Sequence, residues 1–96
     1  PVRMVGLARA YAVSGKKRDA SQILQKIRTA AKDHYVPPYF FAQIHAAMGQ
    51  KSEALSWLEK AYEARDFYLT HLKVDEALDS LRSDPRFTAM LHRMNL

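Results

Sequence analysis

The 96-residue sequence has no cysteine, one tryptophan, three glycines and four prolines. Without cysteine, disulfides and thiolate metal sites are excluded, and the absence suits a reducing compartment. No apolar run approaches the roughly 18 residues that a membrane-spanning helix needs, so no membrane partner is expected. No signal-peptide pattern opens the chain. It begins Pro1-Val2-Arg3, without an initiator Met, and is read as a processed piece of something longer, cytoplasmic by default. Acidic residues are scarce in the first part of the chain. Residues 1–36 carry eight Lys/Arg against only Asp19 and Asp33, a balance of +6, whereas the remainder carries seven against eight, a balance of −1. Hydrophobic residues at 48% and charged residues at 26% fit one soluble globular domain and argue against disorder.

What the sequence does contain is a repeat. Displaced by 34 residues, it matches itself at Ala8/Ala42, Ala12/Ala46, Gly15/Gly49, Lys17/Lys51, Ala20/Ala54, Leu24/Leu58, Lys26/Lys60 and Ala30/Ala64. Leu7/Phe41, Tyr11/His45, Asp19/Glu53 and Ile23/Trp57 are near-matches. Each copy reads as two helices. Leu7, Ala8, Tyr11 and Ala12 form one stripe of helical period, then Gly15 allows a left-handed turn. Ala20, Ile23, Leu24, Ile27 and Ala31 form the second stripe. Pro37-Pro38 ends that helix, and Pro38 suits the first turn of the next. Phe41, Ala42, His45 and Ala46, then Gly49, then Ala54, Leu55, Trp57, Leu58, Ala61 and Tyr62 repeat the scheme. Paired alanines at 8 and 20, and at 42 and 54, let antiparallel helices approach closely. Nowhere does apolarity alternate with the period of a strand. In the tail, Asp75 to Leu81 predicts a short helix with Ala77, Leu78 and Leu81 inward. Ser83 or Asp84 predicts the cap of a last helix, with Pro85 in its first turn and Phe87, Met90, Leu91 and Met94 on one face.

The pattern Leu7-Ala8, Tyr11, Gly15, Ala20, Leu24, Ile27, echoed by Phe41-Ala42, Gly49, Ala54, Leu58, Ala61, resembles the tetratricopeptide repeat. Met4 and Pro38 stand where that family often has Trp, and His45 where it has Tyr. The tail, Leu72-Lys73-Val74-Asp75 with Leu81-Arg82-Ser83-Asp84-Pro85-Arg86-Phe87, is similar to the endings of many bacterial multidomain regulators that carry such repeats. The resemblance implies an all-α, TPR-like alpha-alpha superhelix of one domain: repeat one over about 2–35, repeat two over about 36–67, and a short helical C-terminal cap over about 68–96. It implies a non-catalytic scaffold within a larger bacterial regulatory protein, holding a peptide or partner protein in its concave groove. Carrying the family's groove positions onto this chain names Val5, Arg9, Ala12, Val13, Tyr39, Phe40, Gln43, Ala46, Ala47, Thr70 and Lys73, with Tyr39 and Phe40 as aromatic anchors. The family's carboxylate-clamp positions hold Val5, Arg9, Phe40, Thr70 and Val74, which does not suit that ligand.

Nothing assembles an active site, and no cofactor or metal is expected. His34, His45, His71 and His92 lack metal-ligand spacing, and His45 reads as a hydrogen-bonded residue at a helix interface. Asp75, Glu76 and Asp79 read as a solvated first helical turn favoured by the dipole. Ser14-Gly15-Lys16 and Gly49-Gln50-Lys51-Ser52 lack the paired glycines and the preceding strand of a phosphate loop. Two further partners are expected in second place. Lys16, Lys17, Arg18, Lys26, Arg28 and Lys32 offer phosphate contacts to a nucleic acid, although few aromatics lie among them. The uncovered first helix (Val2, Met4, Val5) offers weak self-association.

Overall fold

A computed structural model describes residues 2–33, 35–72 and 75–94, without the side chains of Val2 and Phe67. Lys73, assigned above to the groove, lies outside the described residues, as do Pro1, His34, Val74 and the closing Asn95-Leu96. Among the described residues every regular element is helical. In chain order these are α1 (Val2–Val13), α2 (Lys17–Ala30), α3 (Pro38–Ala47), α4 (Lys51–Glu63), the 3-10 helices η1 (Phe67–His71) and η2 (Glu76–Leu81), and α5 (Pro85–Arg93). The all-α expectation holds.

Local chemistry places the ends. Pro38 and Pro85 occupy first turns, where a missing N–H is no loss, and the Asp84 carboxylate accepts from Arg86 N at 2.9 Å. Gly15 (φ 80°) and Gly49 (φ 76°) close α1 and α3. The next N–H in each case reaches back to a carbonyl of the last turn, Lys16 to Tyr11 O at 2.8 Å and Gln50 to His45 O at 2.9 Å. Helix α4 closes in the same way without a glycine. Arg65 takes φ 54°, and Asp66 N donates to Ala61 O at 2.9 Å. A Cβ at Gly49 would meet no atom within 4 Å, so Gly49→Ala is expected to cost only the backbone strain, about 1 kcal/mol. Arg65→Gly relieves such strain and is expected to gain up to about 1 kcal/mol, less the entropy that glycine adds to the unfolded chain. Urea melts of the two variants should move in opposite directions; movement in the same direction would contradict this account.

Helix α1 pairs with α2 and α3 with α4, while α3 also lies beside α1 on one side and η2 on the other. The register extends further than the identities do. Helices α1, α3 and η2 end at residues 13, 47 and 81, and α2, α4 and α5 begin at 17, 51 and 85, each 34 after the last. Contacts between the second and third pairs keep that offset. Ser80 Oγ donates to Ala46 O at 3.1 Å, and Arg93 reaches Glu59 with two N–H groups at 2.7 and 3.2 Å. The segment expected as a cap therefore forms a third pair in step with the first two. Its first member is 3-10 rather than α-helical, and Asp66 and Asp75 cap η1 and η2 by accepting from the backbone N–H two residues on, at 3.0 and 2.9 Å.

Two layers of core fill the stack. Val5, Ala8, Ala12, Leu24, Ile27, Phe41, Ile44 and Met48 lie between the first and second pairs. Tyr39, Ala42, Ala46, Leu58, Ala61, Leu72, Leu78, Leu81, Phe87 and Met90 lie between the second and third. Phe40 and Trp57 touch both layers, and the Trp57 ring stacks on Phe41 at 4.4 Å. Ala8, Ala20, Ala42 and Ala54 are fully buried, as close helix approach requires. The radius of gyration, 12.7 Å, is close to the roughly 12.5 Å of a compact domain of this length.

Candidate functional site

The face carried by α1, α3 and the 3-10 segment holds the residues assigned to the groove, and the structure divides them. Val5, Ala12, Ala46 and Gln43 are buried, and Tyr39 is 1% exposed. Val5, Tyr39 and Gln43 are thus corrected from groove contacts to interior residues. For Tyr39 and Gln43 the reason is the tail, because η2 crosses α3; Val5 is buried instead between the first and second pairs. Arg9, Phe40 and Ala47 remain half-buried and Thr70 exposed, while Val13 is 79% exposed.

What Tyr39 and Gln43 do instead is hold a carboxylate. Tyr39 Oη donates to Asp75 Oδ2 at 2.6 Å, and Gln43 Nε2 donates to the same oxygen at 2.7 Å. The other oxygen accepts from Ala77 N at 2.9 Å, and the Asp75 carbonyl accepts from the Arg82 guanidinium at 2.9 Å. Asp66 fixes the other end of this joint, taking Tyr39 N at 3.1 Å and Tyr68 N at 3.0 Å. Burial pushes the Asp75 carboxyl up, but the bonds from Tyr39, Gln43 and Ala77 and the charge of Arg9 outweigh it and hold the group below its ordinary value. For Tyr39, burial first and the adjacent carboxylate second push the phenol well above its ordinary value, so it stays a donor. The solvated-turn expectation is therefore corrected for Asp75. Glu76 is exposed as expected, and Asp79 pairs with Arg82 at 2.7 Å. A carboxylate with both oxygens engaged by three donors is a fastener, not a base in waiting. Its link to Tyr39 spans 36 positions, which no local pattern announces.

An aromatic patch lies beside this joint. The rings of Phe40 and Tyr68 are 4.8 Å apart and tilted, Tyr68 and His71 are 6.4 Å apart, and buried Tyr39 backs Tyr68 at 6.5 Å in a stacked arrangement. Tyr68 is 38% exposed. It is absent from the groove assignment, which took Thr70 from the same 3-10 helix. A hollow of about 800 Å³ lies further round, lined by Tyr62, Arg65, Leu69, Thr70, Arg93 and Met94 among others. Its Arg93 already holds Glu59 and covers the Tyr62 ring at 4.6 Å.

His45 meets the interface expectation with one ring nitrogen. Its Nδ1 lies 2.6 Å from Gln50 Oε1, within hydrogen-bond distance. Nε2 is buried without a partner among the described residues. No group of three His, Asp or Glu side chains suited to a metal ion occurs among the described residues. The ion pairs of the described residues, Asp79–Arg82, Asp84–Arg86 and Glu59–Arg93, all lie in the second half of the chain, and none involves the basic first pair. The chain matches no family model, no curated protein and no solved structure.

Proposed function

We propose that this chain is a non-catalytic interaction module of tetratricopeptide type, which takes an extended peptide or a segment of a partner protein on the face shared by α1, α3 and η1. The observation that carries this reading is the 34-residue register kept by all three helix pairs. It makes a rigid platform of successive helices, and on that platform the aromatic patch Phe40–Tyr68–His71 is left accessible. Rigid aromatics bury area at low entropic cost and serve well as anchors. Half-buried Arg9 and exposed Thr70 supply polar contacts along the same face. Absence of catalysis is supported by Asp75, the best-placed carboxylate, being fully engaged in structure. On this reading the parent is a larger cytoplasmic regulatory protein of a bacterium.

Selection of peptides from a displayed random library on the folded chain tests the proposal. Enriched peptides should bind in the micromolar range, and Tyr68→Ala should weaken them by about tenfold, the effect of removing one anchor, with an unchanged melt. Peptides that bind Tyr68→Ala as tightly as the parent would place recognition elsewhere and remove the reading. The second reading, nucleic-acid binding by the first pair, is favoured by one observation: Lys17, Arg18, Lys26 and Lys32 have no ion-pair partner among the described residues. It requires an affinity for single-stranded oligonucleotides that falls steeply with salt.

A further inference from the structure

The shared register identifies a surface left exposed among the described residues. Helix α3 seats on the first pair through Phe41, Ile44 and Met48, with Phe40 and Ala47 beside them. Thirty-four positions earlier, the same face of α1 carries Leu7, Ala10 and Ser14, with Gly6 and Val13 beside them. All five are exposed, Leu7 by 42% and Val13 by 79%. The opposite face of α1, Val5, Ala8 and Ala12, is buried, so α1 is apolar on both sides and covered on one. Where α3 fills its interface with aromatic and long side chains, α1 offers small ones. The result is a shallow hollow of about 460 Å³ lined by Gly6, Arg9, Ala10, Val13 and Ser14, shaped to receive knobs rather than supply them.

The rim carries one sign of charge. Exposed Arg3 stands on the same stripe as Gly6, Leu7, Ala10 and Val13, Arg9 lines the hollow, and Lys16 and Lys17 follow its C-terminal end. None of the four forms an ion pair with a described residue. The other end of the stack is finished differently. The third pair turns Glu76, Thr88 and His92 outward, all exposed and polar. One end is closed by polar residues and the other is apolar within a cationic rim.

We infer that the outer face of α1 docks an acidic amphipathic helix of a partner protein, whose bulky apolar ridge enters the hollow at Ala10 and Val13 while carboxylates on its flanks meet Arg3, Arg9 and Lys17. A second copy of this chain suits the face less well, because two first pairs, each part of a segment of +6, would be brought together. This surface shares Arg9 with the groove face but not the Phe40–Tyr68 anchors, so the inference goes beyond the groove reading and does not depend on it.

The test uses a labelled synthetic helix with leucines at three- and four-residue spacing and glutamates on its flanks, and a twin in which lysines replace the glutamates. Fluorescence anisotropy should show saturable binding of the glutamate helix, weakened by salt, and binding of the lysine twin roughly tenfold weaker or absent. Amide shifts in NMR should centre on Leu7, Ala10 and Val13. Val13→Glu and Ala10→Glu replace exposed side chains, so they should keep parental circular dichroism and lose binding by at least about tenfold; Arg3→Glu, outside the apolar contact, should weaken it less. Equal binding of the two helices, or shifts centred on Phe40 and Tyr68, would overturn the inference. So would a dimer in sedimentation that Val13→Glu dissolves, since a second copy would then be the occupant. An oligonucleotide that shifts the same amides while the glutamate helix does not would assign the cations to nucleic acid and overturn it as well.

Discussion

Replacing Asp75 by alanine is expected to lower the unfolding free energy by about 3 kcal/mol, the combined loss of charge-assisted bonds and of a turn cap. The substitution leaves Tyr39 Oη and Gln43 Nε2 without their acceptor in a place largely closed to water, and releases Ala77 N at the start of η2. Unmade buried donors are more expensive than the bonds themselves are favourable. For a domain whose whole stability is on the order of 5–15 kcal/mol, this is a large fraction. Tyr39→Phe removes one donor and leaves the carboxylate two others, so it should cost only about 1–1.5 kcal/mol. The ordering of the two variants in urea melts is the check. Amide exchange at Ala77 and Leu78 should quicken most in Asp75→Ala, because η2 is the element released. A loss below about 1 kcal/mol, inside the range of an ordinary surface change, would mean that the three donors do not converge on Asp75 in solution.

The same joint sets both ends of the pH profile. Asp75 is held below its ordinary value of 3.8 in the fold, so the folded state favours the charged form. Its contribution is present in full above about pH 4 and is lost as pH falls through the lower folded value. Tyr39 runs in the other direction. Its phenol is raised above an ordinary 10.0, so that contribution is complete below pH 10 and declines as pH climbs past it. Urea midpoints should therefore be flat between these limits and fall on either side. Asp75→Ala should shrink both arms. The acid arm is in part its own titration, beside that of Asp84, which the bond from Arg86 also holds below its ordinary value, and the alkaline arm draws on its charge beside the phenol.

How far the sequence discloses this molecule depends on which side of the stack a residue faces. The first two pairs are legible because Ala8, Ala20, Ala42 and Ala54 must all stay small at close helix crossings, and Gly15 and Gly49 must both take positive φ. The third pair keeps the spacing and discards the identities. Where the earlier pairs have Ala42, Ala54 and Leu58, it has Glu76, Thr88 and His92, which are exposed because no described residue stacks on them. Its apolar content moves to Phe87 and Met90, which look back onto α4. A search for matching residues ends where the interior ends, although the architecture continues. The face proposed for binding is half legible for a related reason. Arg9, Val13 and Phe40 keep the accessibility expected of them, whereas Tyr39 and Gln43 are claimed by Asp75 from 36 and 32 residues away. Pairings at such distance leave no periodic trace.

Phe87→Ala decides whether the third pair is part of the core or an appendage, and its expected cost exceeds that of Asp75→Ala, at about 3–5 kcal/mol for a buried phenylalanine. Phe87 is 1% exposed and sits in the core layer that α3 and α4 share with the tail, with the Arg82 guanidinium 5.8 Å from its ring centre. Its removal opens a cavity bordered by elements of two pairs, and relaxation of one pair cannot close it. Trp57 is the only tryptophan in the chain and its ring stacks on Phe41 of the first core layer, so its fluorescence reports chiefly on the first two pairs while far-UV dichroism reports on all three. If the layers form one cooperative unit, both signals in Phe87→Ala move to the same lower denaturant midpoint with a single transition. If the tail merely docks, dichroism falls in part at low denaturant while Trp57 unfolds at the parental midpoint. Only the first outcome fits a stack whose second core layer is built equally from both sides.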